Sequence, residues 1–306
     1  MMMPRAGASG VRRAVLLLAG LLAGPLAGCA GDGGGAQGSD AAGSTGASKA
    51  ADATTLPAGS AAALVDGHRA MLAGLPSLTA SGALVMSWQD KDGKHREQVQ
   101  VRFYLERPCV AVRILSPAGP LAWLGTDGRR WWWFMLAERP TRLITGAVGT
   151  DGRAVRGPPI SAPELLLLMG LEPLGAPAEP AVAEATGGRR RVEIPAGRFP
   201  RPMRAWFDAG GLLVRLEVLG PDGAVMAASD LARPRAVEIQ GVAPAQWPRI
   251  PMEMQVSLPA AAGRDEAAWA LTFELPTGLD ERTRGKVFDL EGLRATLTPG
   301  VVDEVR

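Results

Sequence analysis

The chain has 306 residues, of which 47% are hydrophobic, 21% charged and 5% aromatic. This length allows a sizeable buried core, and the formal net charge of +2 excludes the strongly basic class of nucleic-acid-binding proteins. Residues 1–28 carry three arginines and no acidic residue, so the rest of the chain has 30 basic and 31 acidic residues.

The N-terminus has the three parts of a secretory signal: arginines, a short apolar stretch at residues 15–22, and small residues before a cysteine. The run Leu26-Ala27-Gly28-Cys29 resembles the processing site of bacterial lipoproteins, whose cysteine is lipidated (palmitate is one such acyl group) and becomes the new N-terminus. We therefore predict a signal peptide at residues 1–28 and lipid attachment at Cys29. The alternatives are an ordinary signal peptide or an anchoring helix, although the apolar stretch is shorter than the roughly 20 residues that span a bilayer.

Residues 29–59 combine this cysteine with a stretch rich in Gly, Ala and Ser that has no large apolar side chain before Leu56. Such a composition buries too little surface to offset the entropy of ordering, so it predicts a flexible tether. Ala30 and Gly31 follow the cysteine, which is compatible with export to an outer membrane. We expect one folded domain at residues 60–306.

The folded part is expected to begin with an amphipathic helix. Apolar side chains recur at helical spacing, and a glycine and a proline end the segment. The stripe consists of Leu64, His68, Met71, Leu72 and Leu75. We interpret His68 as a packed or half-exposed side chain rather than a metal ligand.

The hydrophobic period then changes to two, which is typical of strands with one apolar face. Alternating segments recur near residues 84–88, 98–105, 110–114, 121–124, 130–136, 204–207, 212–218, 237–239, 252–258 and 269–275. Asp-Gly and Gly-Gly pairs separate several of them, as expected for hairpin turns. The pattern predicts an antiparallel meander in which Cys109 is a small buried hydrophobe.

One helix is predicted within the meander. Ser161 and Glu164 form a capping box, Gly170 is placed to end the helix, and residues 165–169 are all apolar. A helix that is apolar all round must be buried on every side. It therefore lies over the apolar face of the sheet, either as a core element or as a lid that can leave a hydrophobic cavity.

The order of these elements is similar to that of the lipoprotein-sorting carriers of Gram-negative bacteria, the LolA/LolB-like superfamily. Local resemblance lies at residues 75–82, 113–128, 206–213 and 287–290, and the resemblance covers roughly residues 60–292. It implies a mainly β (α+β) fold: a curved antiparallel unclosed β-barrel, or half-barrel, of about eleven strands with helices covering its concave apolar face. The lipid anchor favours the LolB-like side of the superfamily.

The resemblance also implies a function. The protein would be a membrane-anchored periplasmic lipoprotein at the outer membrane that binds acyl chains or lipoproteins in an apolar hollow and helps to carry or insert them. Its partners would be the membrane through lipidated Cys29, a lipoprotein or other acylated cargo, and a soluble periplasmic carrier. The polar turn at residues 89–94 lacks the exposed apolar residue that assists insertion in this superfamily. The alternative is a non-carrier lipoprotein that scaffolds an envelope or secretion assembly.

An acyl-binding hollow needs only an apolar lining and a way in, since each CH₂ moved out of water contributes roughly 0.8 kcal/mol. The candidate lining residues share a large apolar side chain on a predicted strand or on the mid-chain helix. They are Leu84, Met86, Trp88, Val101, Phe103, Ile114, Trp123, Trp131, Trp133, Leu166, Leu167, Met252, Met254, Trp269 and Phe273. The alternative interpretation is that these side chains form a dry core.

The run Trp131-Trp132-Trp133-Phe134 predicts a central strand with aromatic side chains on both faces. One pair would line the hollow, and the other would pack outside or meet a membrane, a partner or a sugar.

We expect no enzymatic activity and no cofactor. His68 and His95 are far apart and lack metal-ligand spacing to a cysteine or to each other. No nucleophile elbow, phosphate-binding loop or dinucleotide fingerprint is present in the sequence.

Overall fold

The structure is a computed structural model that describes residues 58–90, 93–149, 162–178, 183–185, 187–197, 199, 201–239, 241–260 and 266–305. The expected signal peptide, Cys29, nearly all of the tether and the Ser161 cap lie outside these residues. The described chain begins with a helix whose first residue, Ala58, lies just before the expected start of the domain.

The described residues form α-helices, β-strands and one short 3₁₀ helix at Pro244–Gln246. The helices are α1 (Ala58–Ala73), α2 (Ala162–Leu168), α3 (Glu281–Val287) and α4 (Leu290–Leu297). The strands are β1 (Ser77–Asp90), β2 (Gly93–Glu106), β3 (Cys109–Ser116), β4 (Gly119–Thr126), β5 (Arg130–Met135), β6 (Arg142–Ala147), β7 (Ala183–Ala185), β8 (Arg189–Ile194), β9 (Met203–Phe207), β10 (Leu213–Leu219), β11 (Val225–Ala232), β12 (Arg235–Ala236), β13 (Arg249–Ile250), β14 (Glu253–Leu258), β15 (Ala267–Thr277) and β16 (Val301–Val305).

The predicted half-barrel architecture is confirmed. Within the described residues, the strands form one 14-stranded sheet in the order β16-β6-β5-β4-β3-β2-β1-β15-β14-β11-β10-β9-β8-β7, and its two edge strands do not pair with each other. The strand count of about eleven was too low. Five strands of the sheet lie outside the alternating segments named above: β6, β8 and β11 within the sheet, and the short β7 and the parallel C-terminal β16 at its two edges.

Segment 237–239, expected to be a strand, is not one. A two-residue strand, β12, precedes it and pairs with β13 outside the main sheet. Val237 is nevertheless buried and Ile239 packs against the core. These two apolar residues therefore alternate because they are buried in a loop, and not because they belong to a strand.

The register divides the sheet into two faces. On β1, Leu84, Met86 and Trp88 belong to the largest core cluster, together with side chains of α1 and α2. They pair with Val99 and Leu271 and with other residues of the two neighbouring strands. We call the face covered by α1 and α2 the inner face, and the opposite one the outer face.

Two helices that the sequence did not lead us to expect cover one half of the outer face. Asp280 and Asp289 cap α3 and α4 by accepting hydrogen bonds from Thr283 N and Gly292 N, at 2.9 and 3.0 Å. The buried side chains of α4 pack against Trp132, Phe134 and Leu143 of β5 and β6, and those of α3 pack against β2 and β3. Helices therefore cover both faces of the sheet and not the inner face alone.

The other half of the outer face carries a ladder of ion pairs across β8 to β11. Glu193 pairs with Arg204 at 3.2 Å, and Arg204 lies 3.9 Å from Glu217. Arg215 continues the ladder to Glu217 at 2.9 Å and to Asp230 at 2.7 Å. Because most of these groups are partly exposed, each pair contributes less than about 1 kcal/mol, and the ladder mainly keeps this face polar.

Candidate ligand-binding face

The inner face gathers most of the candidate side chains. The large cluster contains twelve of them, all buried: Leu84, Met86, Trp88, Val101, Phe103, Ile114, Trp133, Leu166, Met252, Met254, Trp269 and Phe273. Trp131 is buried and lies two residues from Trp133, so strand alternation places it on the same face. Leu167 belongs to a second cluster in which α2 meets α1 and strands β8 to β10.

Trp123 does not join the other candidates. On β4 it pairs with Arg113 and Phe134, whereas Leu124 pairs with the inner-face residues Val112 and Trp133. Its ring packs against the outer-face clusters, and the Arg113 guanidinium lies 5.2 Å from the ring centroid. Trp123 is therefore on the outer face, because the apolar run at residues 121–124 hides the alternation that would have shown its side.

The tryptophan-rich strand has aromatic side chains on both faces, as predicted. Trp133 packs into the inner-face cluster, whereas Trp132 and Phe134 pack under α4. Gly146 on β6 makes room for Trp131: a Cβ at this glycine would lie 2.8 Å from the indole Nε1. The outer pair is thus buried by the chain's own helix.

Several inner-face indoles have unpaired donors. The buried Nε1 atoms of Trp88, Trp131 and Trp133 have no hydrogen-bond partner within the part of the chain that the structure describes. The same is true of Trp123 and Trp132 on the outer face. An indole nitrogen is a donor only, and leaving such a donor buried and unpaired costs about 1–3 kcal/mol. These groups could be satisfied by an acceptor oxygen of a bound molecule.

Helix α2 ends in a Schellman motif. Leu171 N donates to Leu166 O at 2.7 Å and Gly170 N to Leu167 O at 2.9 Å, and Gly170 has a φ of +66°. Four consecutive residues, Leu166 to Met169, are buried. The helix is therefore covered on nearly every side, as its composition predicted, with Leu166 and Leu167 in different clusters.

Backbone carbonyls dock α2 and the segment after it onto the rest of the fold. Ser229 Oγ donates to Leu168 O at 2.5 Å, and Arg69 Nε donates to Leu174 O at 2.9 Å. Arg107 donates to Leu75 O at 3.1 Å and to Leu171 O, so it joins the end of α1 to the end of α2. A few side chains thus hold an otherwise apolar helix in place.

His68 on α1 belongs to the same contact. It is 3% exposed, and its Nε2 lies 3.4 Å from Glu172 O. Burial, with smaller contributions from the charges of Arg107 and Arg69, lowers the pKa of His68 to about 4. The imidazole is therefore neutral at neutral pH, which fits a packed side chain as the sequence indicated.

A groove runs along the exposed side of α1. It has a volume of about 600 Å³ and lies between α1, the β9–β10 turn and the loop before β13. A second cavity of about 170 Å³ shares His68, Met71, Leu212, Leu213 and Arg249 with it and reaches Gly170 at the end of α2. The sequence indicated neither cavity, because their walls come from distant segments.

A third, open hollow of about 770 Å³ lies beside the end of β15. Met252 and Phe273, two of the candidates, line it together with Arg233 and Arg235. Leu275 at its rim is 72% exposed and has a φ of +43°, in a bulge of β15 opposite β1. Leucine rarely adopts the left-handed backbone conformation, and a large apolar side chain is rarely so exposed. This rim is therefore a candidate contact surface.

Catalytic and metal chemistry find little support among the described residues. They contain no group of three or more His, Cys, Asp or Glu side chains able to hold a metal ion. Cys109 is half-buried, and burial together with Asp127 and Glu106 raises the pKa of its thiol, which disfavours the reactive thiolate. No described helix has the length and apolarity to cross a membrane.

No protein-family profile matches the sequence, and no curated protein matches it significantly. Among solved structures, a DUF1329 family protein from Desulfovibrio piger superimposes with a TM-score of 0.51 at 12% identity, covering 78% of this chain and 99% of that one. The LolA superfamily protein NE2245 from Nitrosomonas europaea gives a TM-score of 0.46 at 14% identity, covering 74% and 94%. An outer membrane lipoprotein-sorting protein domain from Vibrio parahaemolyticus gives 0.49 at 9% identity, covering 78% and 99%.

At these identities the comparisons bear on the fold alone, and of these three structures the DUF1329 protein has a TM-score above 0.5. The chain has the unclosed half-barrel with covering helices that its resemblance to the LolA/LolB-like superfamily predicted.

Proposed function

We propose that the protein binds the acyl chains of lipoproteins or related amphiphiles on its inner face and helps to carry or insert them at the outer membrane. The observation that carries this proposal is helix α2, which is almost wholly apolar, lies on an apolar sheet face and is docked through a few hydrogen bonds to backbone carbonyls. An element of this kind can move away and expose apolar surface without breaking the sheet.

The inner face suits acyl chains physically. Each CH₂ transferred from water contributes roughly 0.8 kcal/mol, so a chain can replace the contacts that α2 gives up. Met86, Met252 and Met254 lie on this face, and flexible methionine side chains adapt to ligands of variable shape.

The unpaired indoles favour acylated ligands over plain hydrocarbons. Trp131 and Trp133 have buried donors on the inner face, and the carbonyl oxygen of an ester or amide is the acceptor that would satisfy them. A lipoprotein carries such carbonyls beside its acyl chains. This binding role requires no catalytic group, and we propose that the protein is not an enzyme.

The membrane-related part of the proposal rests on the N-terminal sequence and on the rim at Leu275. A lipid on Cys29 and a tether over residues 29–59 would hold the folded domain near the periplasmic face of the outer membrane, within reach of a soluble carrier. The exposed leucine, with Arg233 and Arg235 beside it, offers the apolar contact that the polar turn at residues 89–94 lacks.

The test of cargo binding is extraction of the purified protein for bound lipid, followed by titration with a fluorescent fatty acid. We expect saturable uptake that Met254→Gln on the inner face weakens about tenfold, because the substitution places an amide among the acyl contacts. Leu143→Gln is the matched control, since Leu143 is equally buried but lies under α4. A protein that contains no lipid and takes up no fatty acid would refute the acyl-binding role.

One observation favours the alternative of a non-carrier scaffold. The inner-face candidates are closely buried against each other and against α1 and α2, as in a dry core. If the protein is a scaffold, a protein partner should co-purify with it in stoichiometric amount when the anchored protein is isolated from membranes. If it is a carrier, acylated cargo should co-purify with it instead.

A further inference from the structure

We propose that the groove along α1 binds an anionic headgroup whose acyl chain passes through the adjoining cavity toward the inner face. The inference rests on the proposed function and specifies it: the cargo is an amphiphile with a phosphate or carboxylate, and it enters beside α1. We call the two cavities together the headgroup groove.

The shape of the groove comes from small residues on the exposed side of α1. Ala63, Gly67, Ala70 and Gly74 recur every three or four residues and are exposed. A Cβ at Gly67 would have no atom within 4 Å, so the position faces open space. The volume of about 600 Å³ is within the range of small-molecule sites.

The charge of the groove is mainly positive. The walls of the larger cavity include Arg190 and Arg249 and no carboxylate. Those of the smaller cavity add Arg233 and one carboxylate, Asp208, which accepts a hydrogen bond from Leu212 N at 2.9 Å. Arg190 donates to Asp208 O at 3.4 Å, whereas Arg249 is exposed and makes no ion pair within the described ranges. The lowered pKa of His68 keeps this wall residue neutral at physiological pH, so the positive charge of the larger cavity comes from its two arginines. An anion is the ligand that complements two guanidinium groups.

The smaller cavity joins this site to the apolar interior. It passes from Arg249 and His68, past Met71 and Leu213, to Gly170 and Leu231. Leu231 belongs to the inner-face cluster, and Met71 and Leu213 pack against it. Gly170 ends α2, so an acyl chain that follows this path from the groove reaches the point at which α2 must move.

The experiment compares ligands that differ only at the head: decyl phosphate, decanoate and neutral 1-decanoylglycerol, titrated calorimetrically below their micelle concentrations. We expect Arg249→Glu to weaken decyl phosphate and decanoate at least tenfold and 1-decanoylglycerol less than twofold. Arg282→Glu, which makes the same charge change on exposed α3, should leave all three affinities unchanged. Inorganic phosphate alone should bind more weakly than decyl phosphate.

A second variant blocks the groove without removing a charge. Gly67→Leu fills the open space beside α1 and removes a helix-interior glycine, so the protein remains folded. We expect it to abolish binding of the anionic ligands. Equal binding by wild type, Arg249→Glu and Gly67→Leu overturns the inference.

Failure of this inference differs from failure of the proposed function. If Met254→Gln weakens the neutral ligand while Arg249→Glu changes nothing, the inner face binds acyl chains but the headgroup groove does not bind anions. If Arg249→Glu weakens the anionic ligands while Met254→Gln has no effect, the groove binds anions without an acyl-binding inner face.

Discussion

Among single residues, His68 makes the stability of the contact between α1 and the end of α2 depend on pH. Its folded-state pKa of about 4 is below the ordinary value of 6.5. The unfolded chain therefore takes up a proton that the folded protein does not, and the free energy of unfolding falls as the pH drops through 6.5 and continues to fall until about pH 4. From the size of the shift, we expect a total loss of about 3 kcal/mol.

The measurement is denaturant unfolding of wild type and His68→Gln between pH 7 and pH 4. Glutamine keeps a donor but does not titrate, so the variant should lack this component while keeping the pH dependence of the carboxylates. An unchanged pH dependence in the variant would show that the imidazole is not held neutral in the folded state.

Arg107 is the second residue with a specific expectation. It donates to the carbonyls of Leu75 and Leu171, and Arg107→Met would leave both without this partner. We expect the free energy of unfolding to fall by about 1–3 kcal/mol, and the rate of fatty-acid uptake to rise, because α2 is released more easily. Stopped-flow uptake measures the rate, with Arg129→Met in the exposed β4–β5 turn as the control. A less stable variant with unchanged uptake would contradict the lid role.

The residues that could be predicted from sequence are those whose signal is local. The burial of Met86, Trp88 and Phe103 follows from strand alternation alone. The position of Trp123 did not follow, because its neighbours on both sides are apolar and only the register of β4 decides its face. Arg249 could not be found, because its role depends on a groove built by segments far apart in the chain.

At the scale of elements, α2 gives the clearest test. Leu166 and Leu293 are both buried, on α2 at the inner face and on α4 at the outer face. A lysine at either site would bury a charge at a cost of several kcal/mol unless the helix moves out. We expect Leu166→Lys to raise the binding of a hydrophobic dye while the far-UV circular dichroism of the sheet is retained. Leu293→Lys should destabilise the protein without increasing fatty-acid uptake.

Global unfolding of Leu166→Lys, seen as loss of the strand signal, would instead make α2 an ordinary core element. The experiment therefore separates the two interpretations that the composition of this helix left open.

The elements themselves were predictable to different extents. Helix α2 and the long strands have strong local patterns, and the expected end of α2 at Gly170 matches the Schellman motif. The outer-face helices α3 and α4 were missed although Asp280 and Asp289 cap them. Helix α4 has a readable signal, because Leu290, Leu293 and Leu297 recur at helical spacing after the Asp289 cap. Helix α3 buries only Val287 and has no such period.

For the molecule as a whole, the half-barrel fold follows from the repeated alternating pattern of its strands. The number of strands in the sheet and the presence of helices on its outer face do not follow from that pattern. The edge strands β7 and β16 are short or parallel. The arrangement that matters for function, an apolar inner face under α1 and α2 and an outer face half covered by α3 and α4, depends on register across the sheet. Register is a property of pairs of strands and cannot be deduced from the sequence of a single strand.

Locating a bound acyl chain tests directly whether the inner face is the binding site. The purified protein would be loaded with a diazirine-bearing fatty acid, irradiated and mapped by mass spectrometry. If acyl chains bind on the inner face, crosslinks form to residues such as Met86, Trp133 and Met254, and competition with unlabelled fatty acid removes them. Crosslinks confined to outer-face residues such as Trp132 and Leu293, or crosslinks that do not respond to competition, would contradict binding on the inner face.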